Sequence, residues 1–307
     1  MIECVIFGGL LLDKYFELKT LPKRGQDGFI DREFQCVGGC AVNMAATFEN
    51  LGGRAHVVSY VGDDETAREI MRYMDEHKLS LRYVKEKPGE TDYCMVFLEN
   101  DGERTFLTKS GNGLDFKKEI LFDNLEGIKY VAVTGYYLLN KGADELVDAL
   151  DEFTKNGGFV LFDPSPLVGS IDKTYLKRML EMSRCITPNI TEAQIIADVL
   201  YDGCDWKEWL SEYAAQSKFA VVKEGADGGN IYAGENSEKY LAEKRVAVDT
   251  TGAGDSFAAG ILFALASGKE IYDAVKLGCL TSAKTVTING PHGFWEPETD
   301  MLAIIEK

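Results

Sequence analysis

DTTGAGDSF, residues Asp249 to Phe257, is the stretch on which the reading of this chain turns. Upstream of it Arg245 to Val248 reads as a strand, and downstream an apolar helical pattern begins near Ser256. Gly252, Ala253 and Gly254 therefore fall where the backbone N–H groups of a helix N-terminus lack intrahelical partners. Glycine lets the backbone come close to a charged oxygen, and the positive end of the helix dipole favours an anion there. Asp255 sits in the same first turn. One reading makes it an ordinary acidic residue stabilised by the dipole. The other makes it a base that takes a proton from a hydroxyl while the neighbouring amides hold charge on a transferred phosphoryl group. The loop is not a P-loop, because no GxxxxGK followed by Ser or Thr occurs. It is not a Rossmann fingerprint either, which needs glycine where Phe257 stands.

Working outward, strand-like runs at Cys4–Phe7, Ala55–Tyr60, Tyr130–Val133, Phe159–Asp163, Cys185–Thr187 and Phe219–Lys223 alternate with helical patterns. The helices are expected at Val42–Leu51, Glu65–His77, Ala143–Lys155 and Thr191–Val199. Such alternation predicts an α/β fold, doubly wound, with a mainly parallel sheet carrying helices on both faces. Ligands then belong at the carboxyl ends of the strands. Two segments break the pattern. Asp13–Gln35 carries Pro22, Gly25 and Gly28 before a strand-like Phe29–Phe34, and Asp92–Thr108 reads as a hairpin around Asn100-Asp101-Gly102. Neither is a crossover helix, and an edge hairpin and a small β lid remain the alternatives. The chain shows no internal repeat or interdomain linker and is expected to form one domain over residues 1–307.

The 307 residues are 45% hydrophobic, enough to bury a sizeable interior. A net charge of −17, from 33 Lys and Arg against 50 Asp and Glu, argues against nucleic-acid and anionic-membrane partners. ATP remains compatible, because local amides, a divalent cation and a lysine can hold a polyanion. No apolar run approaches the roughly 18 residues of a membrane span. The first residues also lack the basic region of a signal peptide, so a cytoplasmic location is expected. Seven cysteines without framework spacing read as reduced thiols, and three histidines make a structural zinc site an unpromising expectation.

DTTGAGDSFAAGIL is similar to the C-terminal signature of the PfkB, or ribokinase-like, carbohydrate kinases. Val37-Gly38-Gly39-Cys40-Ala41-Val42-Asn43-Met44-Ala45, followed by Leu51-Gly52 and Val61-Gly62-Asp63-Asp64, resembles the N-terminal signature. Thr187–Ala193 (TPNITEA) and Lys223–Gly228 (KEGADG) resemble two more motifs. The four come in family order, so the resemblance covers essentially the whole chain. It implies a ribokinase-like fold with a small β lid built from the segments near 13–35 and 92–108. It also implies an ATP- and Mg2+-dependent kinase acting on a primary hydroxyl of a small sugar or related polyol. A nucleoside or pseudouridine kinase of the same fold is the alternative enzyme, and a sugar- or nucleotide-binding regulator without catalysis is the alternative from another class.

By resemblance, Asp255 is the base and Gly252, Ala253 and Gly254 are the anion hole. Asp13, which by itself is merely a loop aspartate, faces substrate hydroxyls. Gly38, Gly39 and Asn43 line the sugar pocket, although unmatched Asn43 reads as a helix-surface residue. Lys223, Gly225 and Gly228 belong to a nucleotide-binding turn. Asn189 and Glu192 are expected to support phosphate and Mg2+ through water, and the same pair equally satisfies a helix cap with an acidic first turn. Asp163 is a weaker candidate for the metal shell. Asp249 with the turn Val286–Gly290 resembles the place where some relatives hold a monovalent cation such as K+. Cys40 departs from members with lysine after the paired glycines, so the pocket lacks that ammonium, and D-ribose and phosphorylated sugars fit less well without being excluded. Arg104 on the hairpin is either an exposed strand residue or a group that meets a carboxylate or phosphate. Exposed lid edges lead to the expectation of a homodimer.

Overall fold

The computed structural model describes residues 1–113, 117 and 127–306. The first third runs β1 (Glu3–Phe7), β2 (Leu11–Leu18), β3 (Arg32–Gly38), α1 (Cys40–Asn50), β4 (Arg54–Val61), α2 (Glu65–Glu76), β5 (Ser80–Glu86), β6 (Tyr93–Glu99) and β7 (Arg104–Lys109). The middle runs β8 (Tyr130–Thr134), α3 (Ala143–Lys155), β9 (Phe159–Asp163), α4 (Lys173–Met182), β10 (Cys185–Ile186), α5 (Ile190–Leu200) and α6 (Trp206–Ala215). The last part runs β11 (Phe219–Lys223), β12 (Gly229–Ala233), β13 (Asn236–Tyr240), α7 (Ala253–Ala266), α8 (Ile271–Thr285) and α9 (Thr299–Ile305).

The large sheet has the order β13-β12-β11-β10-β9-β8-β1-β4-β5. Its strands from β11 to β5 pair in parallel, and β12 and β13 close one edge as an antiparallel hairpin. Alternation along each strand sends side chains to two separate cores. Ile6 and Ala132 join Met44, Phe48, Ile261 and Ala274 under α1, α7 and α8 on one face. Val5, Phe7 and Val131 join Leu146, Met179, Ile196 and Trp209 under α3 to α6 on the other. This is the doubly wound arrangement expected from the alternating pattern. Each fully buried Val, Leu, Ile, Phe or Met among these contributes about 1.5–3 kcal/mol of burial free energy. The order changes direction between β1 and β8, whose next parallel neighbours lie on opposite sides, so the crevice between their carboxyl ends is the favoured ligand position.

β3, β2, β6 and β7 form a separate four-stranded sheet with its own small cluster of Tyr15, Cys94 and Val96. The expected hairpin at Asn100-Asp101-Gly102 joins β6 to β7. Three local expectations shift. The strand expected at Phe29–Phe34 begins only at Arg32, because Phe29 and Ile30 are exposed and the cross-strand register with β2 starts at Glu17–Arg32. Asp13 lies within β2 and is buried, so it is no loop residue. Arg245–Val248 forms no strand: Val246 and Val248 point to solvent, and the Val248 N–H goes to the Val286 carbonyl instead of a ladder.

Candidate active site

α7 starts at Ala253, three residues earlier than the apolar pattern indicated, because Gly252 caps it in the left-handed region with φ 74°. A Cβ at Gly252 would fall on the Pro291 carbonyl oxygen, so only glycine fits this turn. The helix start is pinned from below. Buried Ser256 Oγ bonds Thr47 Oγ1 of α1 at 2.8 Å and Thr285 Oγ1 of α8 at 2.7 Å, and Thr281 Oγ1 donates to the Ser256 carbonyl. The Ala253 N–H turns to the Thr250 carbonyl at 3.3 Å, which makes Gly252 and Gly254 the better-placed amides of the expected anion hole.

Asp255 follows in the first turn and lines a cavity of about 1050 Å³ at the carboxyl ends of the strands. Burial pushes its carboxyl up to about 7, against the stabilising hydrogen bond from Asn43 Nδ2 at 2.7 Å. Asn43 is thereby a buried partner of the carboxylate and no helix-surface residue. Asp13 enters the same cavity from β2, and burial, then the charges of Asp255 and Asp249, raise it to about 7. The paired glycines make room for neighbours. A Cβ on Gly38 would strike the Asp13 carboxylate, and one on Gly39, at φ 95°, would strike the Gly9 carbonyl. Of the two, Gly39 lines the cavity. Cys40 bridges the crevice between β1 and β8: its Sγ accepts the Gly9 N–H at 3.2 Å and donates to Thr134 Oγ1 at 3.3 Å. Burial holds this thiol neutral, with a pKa of about 12.

The other end of the cavity is built from the ends of β9, β10 and β11. Lys223 Nζ pairs with Asp163 Oδ2 at 2.6 Å, and Thr187 Oγ1 donates to the same oxygen. Burial opposes the lysine's charge, but Asp163 and Glu192 outweigh it and raise the ammonium above its ordinary pKa. Asn189 and Glu192 form the reciprocal cap of α5: Asn189 Oδ1 accepts the Glu192 N–H at 2.8 Å and Glu192 Oε2 accepts the Asn189 N–H at 2.9 Å. Burial raises the Glu192 carboxyl, opposed by Lys223. Asn189, Glu192, Gly225 and Gly228 all line the cavity. Among the described residues no cluster of three or more His, Cys, Asp or Glu side chains could hold a metal unaided.

Arg104 is neither exposed nor free for substrate. Its Nη2 donates to Asp249 Oδ1 at 2.7 Å and its Nη1 to Thr250 Oγ1 at 3.2 Å, tying β7 to the loop before α7. Asp249 also accepts the Thr251 and Gly290 N–H groups, and the Val286 carbonyl accepts the Val248 and Asp249 N–H groups. The cation that Asp249 meets in this structure is a guanidinium, and both of its carboxylate oxygens are engaged. Several residues at the site, Phe106 of β7 and Tyr136 among them, were not singled out from the sequence. Ser165 lines the cavity after β9 in the left-handed region at φ 66°, and its Pro164-Ser165-Pro166 setting was the available signal. His292, behind Asn43, follows the Gly290-Pro291 turn.

A sequence model described as pfkB family carbohydrate kinase matches residues 31–296. The chain is 29% identical to the uncharacterized sugar kinase YegV of Escherichia coli (strain K12), covering 99% of this chain and 94% of the relative. It is 26% identical to a ribokinase of Lactococcus lactis subsp. lactis over 95% of this chain and 93% of the relative. In fold it is similar to a ribokinase from Thermotoga maritima, with a TM-score of 0.84, 19% identity and complete coverage of both chains. It is also similar to a nucleoside kinase of Burkholderia thailandensis in complex with inosine, with a TM-score of 0.82, 22% identity, and 99% and 97% coverage. No helix among the described residues is long and apolar enough to cross a membrane. With a glycine-capped helix start, an adjacent carboxylate and a family match over most of its length, the chain belongs to the PfkB family of carbohydrate kinases.

Proposed function

We propose that this protein transfers the γ-phosphoryl group of ATP to a hydroxyl of a small, uncharged sugar or related polyol, with Asp255 as general base. The observation that carries this reading is the Asp255 carboxylate beside the Gly252 and Gly254 amides, in one cavity with Asp13. The acceptor's O–H gives its proton to Asp255 as the oxygen attacks the γ-phosphorus, the bond from that phosphorus to the bridging oxygen breaks to release ADP, and the α7 amides hold the charge on the moving group. Asp13 accepts hydroxyl hydrogen bonds and orients the acceptor. Lys223 places a point charge beside the nucleotide phosphates, with Gly225 and Gly228 shaping the turn. An uncharged acceptor is supported by the charges around Asp13 and Asp255: Cys40 is a neutral thiol, Lys223 is already paired with Asp163, nearby Arg104 is paired with Asp249, and the remaining cavity-lining cations, Lys244 and Arg245, are exposed. Turnover of ATP with a panel of pentoses, hexoses, polyols, sugar acids, sugar phosphates and nucleosides tests it. Neutral sugars or polyols should lead, and exclusive use of a phosphorylated or carboxylated acceptor would overturn the reading. A nucleoside acceptor is the second reading, favoured by Phe106, an exposed aromatic face that lines the cavity from β7.

Mg2+ is usually held by one or two carboxylates, with waters and substrate phosphates completing its shell. Glu192 fits that pattern. Asp163 is engaged by Lys223 and Thr187, and the Asn189 side-chain oxygen caps α5, so Asn189 offers its amide N–H groups to a phosphate. When bound, the ion neutralises charge on the nucleotide phosphates. Glu192→Gln keeps an oxygen for the cap and removes only the charge, so the Mg2+ concentration needed for half-maximal turnover should rise several-fold at saturating acceptor. A shift confined to the acceptor's KM would show that Glu192 does not serve the metal.

The four-stranded sheet acts in this reading as a lid that excludes water on acceptor binding. Hydrogen exchange at Arg32–Gly38 and Tyr93–Glu99 should slow when acceptor binds, and unchanged exchange with bound acceptor would remove the lid role. A homodimer through the outer face of this sheet belongs to the same proposal, since stacked Phe16 and Phe97 and exposed Leu107 lie there. Sedimentation as a monomer at micromolar concentration would exclude it.

A further inference from the structure

Behind the Asp255 carboxylate runs a buried file of hydrogen bonds that the transfer reaction does not itself use. Asn43 Nδ2 lies 2.7 Å from Asp255 Oδ2, and Asn43 Oδ1 lies 2.9 Å from His292 Nδ1. His292 Nε2 lies 2.8 Å from the Tyr73 hydroxyl. Asn43 and His292 are both buried, at 4% and 8% exposure, so water cannot substitute for either partner. With Asp255 ionised, the form that acts as base, the polarity of the file has one consistent solution. A carboxylate needs a donor, which turns the Asn43 NH2 toward Asp255 and its oxygen toward His292. His292 must then carry its proton on Nδ1, and its bare Nε2 must accept from Tyr73. Burial, and next the nearby His77, push the imidazole down to about 4, so it is neutral at working pH. Three elements and one turn converge here: α1 brings Asn43, α2 brings Tyr73 and, at its C-cap, His77, α7 brings Asp255, and the segment after α8 brings His292 and Phe294. Phe294 stacks on His77 at 4.4 Å and stands edge-on to His292 at 6.1 Å, closing the ring's outer side.

We infer that His292 is a positioning residue for the catalytic base: as the Nδ1–H tautomer it locks the Asn43 amide so that its NH2 faces Asp255. This rests on reading Asp255 as the base. The lock has two consequences. Asp255 Oδ2 is committed to Asn43, which directs Oδ1 to the acceptor's proton. An amide rotated by half a turn would instead set its oxygen against the carboxylate and disfavour the ionised base. The adjacent Pro291 carbonyl packs against Gly252, so the segment that carries the lock also backs the anion hole.

The test combines kinetics with a spectroscopic reading of the tautomer. His292→Leu removes the donor and should lower kcat by roughly 10-fold, with the acidic limb of kcat/KM moving to higher pH. His292→Asn, whose NH2 reaches the place of Nδ1, should restore most of kcat and the limb. Tyr73→Phe removes only the outer donor from a half-buried side chain and should move the limb in the same direction, which keeps the test open if the Leu variant fails to fold. With three histidines in the chain, 15N spectra resolve His292 readily, and it should stay neutral with Nδ1 protonated between roughly pH 5 and 8. An Nε2–H tautomer, or an unmoved acidic limb in folded His292→Leu and Tyr73→Phe proteins, overturns the inference. Asp255→Asn, assayed in parallel, separates the two readings: loss of turnover there with silent His292 variants rejects only the positioning role.

Discussion

Asp255→Asn should lower turnover by about 10²-fold or more, while nucleotide affinity changes little. The substitution is isosteric and leaves the α7 amides in place, so what is lost is the proton acceptor. Near-wild-type turnover in a folded Asn variant would end the assignment of Asp255 as base. In the wild-type protein, acceptor kcat/KM should fall as the pH drops through about 7, where burial sets this carboxyl, well above the roughly 4 of an ordinary aspartate. The shift also has a stability signature. A carboxyl with a folded pKa near 7 and an unfolded value near 3.9 holds its proton more tightly in the folded state. Its contribution to stability is complete below about pH 4 and is lost as the pH rises through about 7. Asp255→Asn cannot ionise, so its Tm should exceed that of the wild type at pH 8, with the gap closing toward pH 4. Thermal melts across this range check the sign, and an equal gap at both ends would mean that the buried carboxyl is not shifted as described.

Gly252→Ala should be nearly as damaging, through geometry. At φ 74° a non-glycine residue costs roughly 1–2 kcal/mol, and the added Cβ also meets the Pro291 carbonyl. That Cβ would sit far inside contact distance of the carbonyl oxygen, so the two segments must part by more than about an ångström, which moves the amides that hold the transferred group. Losing one well-aimed oxyanion donor lowers kcat by about 10²–10³-fold, so a comparable loss is expected at saturating ATP and acceptor, with a smaller change in KM. Circular dichroism and ADP binding establish that the variant is folded. A kcat within threefold of wild type would show that these amides do not contact the moving charge.

Features that depend on neighbours a few residues apart were legible in the chain before it folded. Phe159–Asp163, Phe219–Lys223 and Ala143–Lys155 were legible to the residue, because short apolar runs and 3.6-residue periodicity act locally and agree with the layers that later bury them. The same locality placed Asp255 beside Gly252 and Gly254, since all lie within one turn of a helix start. Where a local signal lacked a tertiary partner it misled. Arg245–Val248 has strand-like side chains but no ladder to join, and Phe29 and Ile30 are apolar yet face solvent. The pairings that tune the site arise only on folding. Arg104 reaches Asp249 across 145 residues, Lys223 reaches Asp163 across 60, and His292 reaches Asn43 across 249. No dihedral preference or periodicity extends that far. Such contacts exist because the parallel sheet delivers the ends of β9, β10 and β11 to one rim while the small sheet and the turn after α8 fold against the start of α7. Burial at that meeting point, absent from any stretch of sequence alone, raises the Asp13 and Asp255 carboxyls to about 7 and keeps His292 neutral.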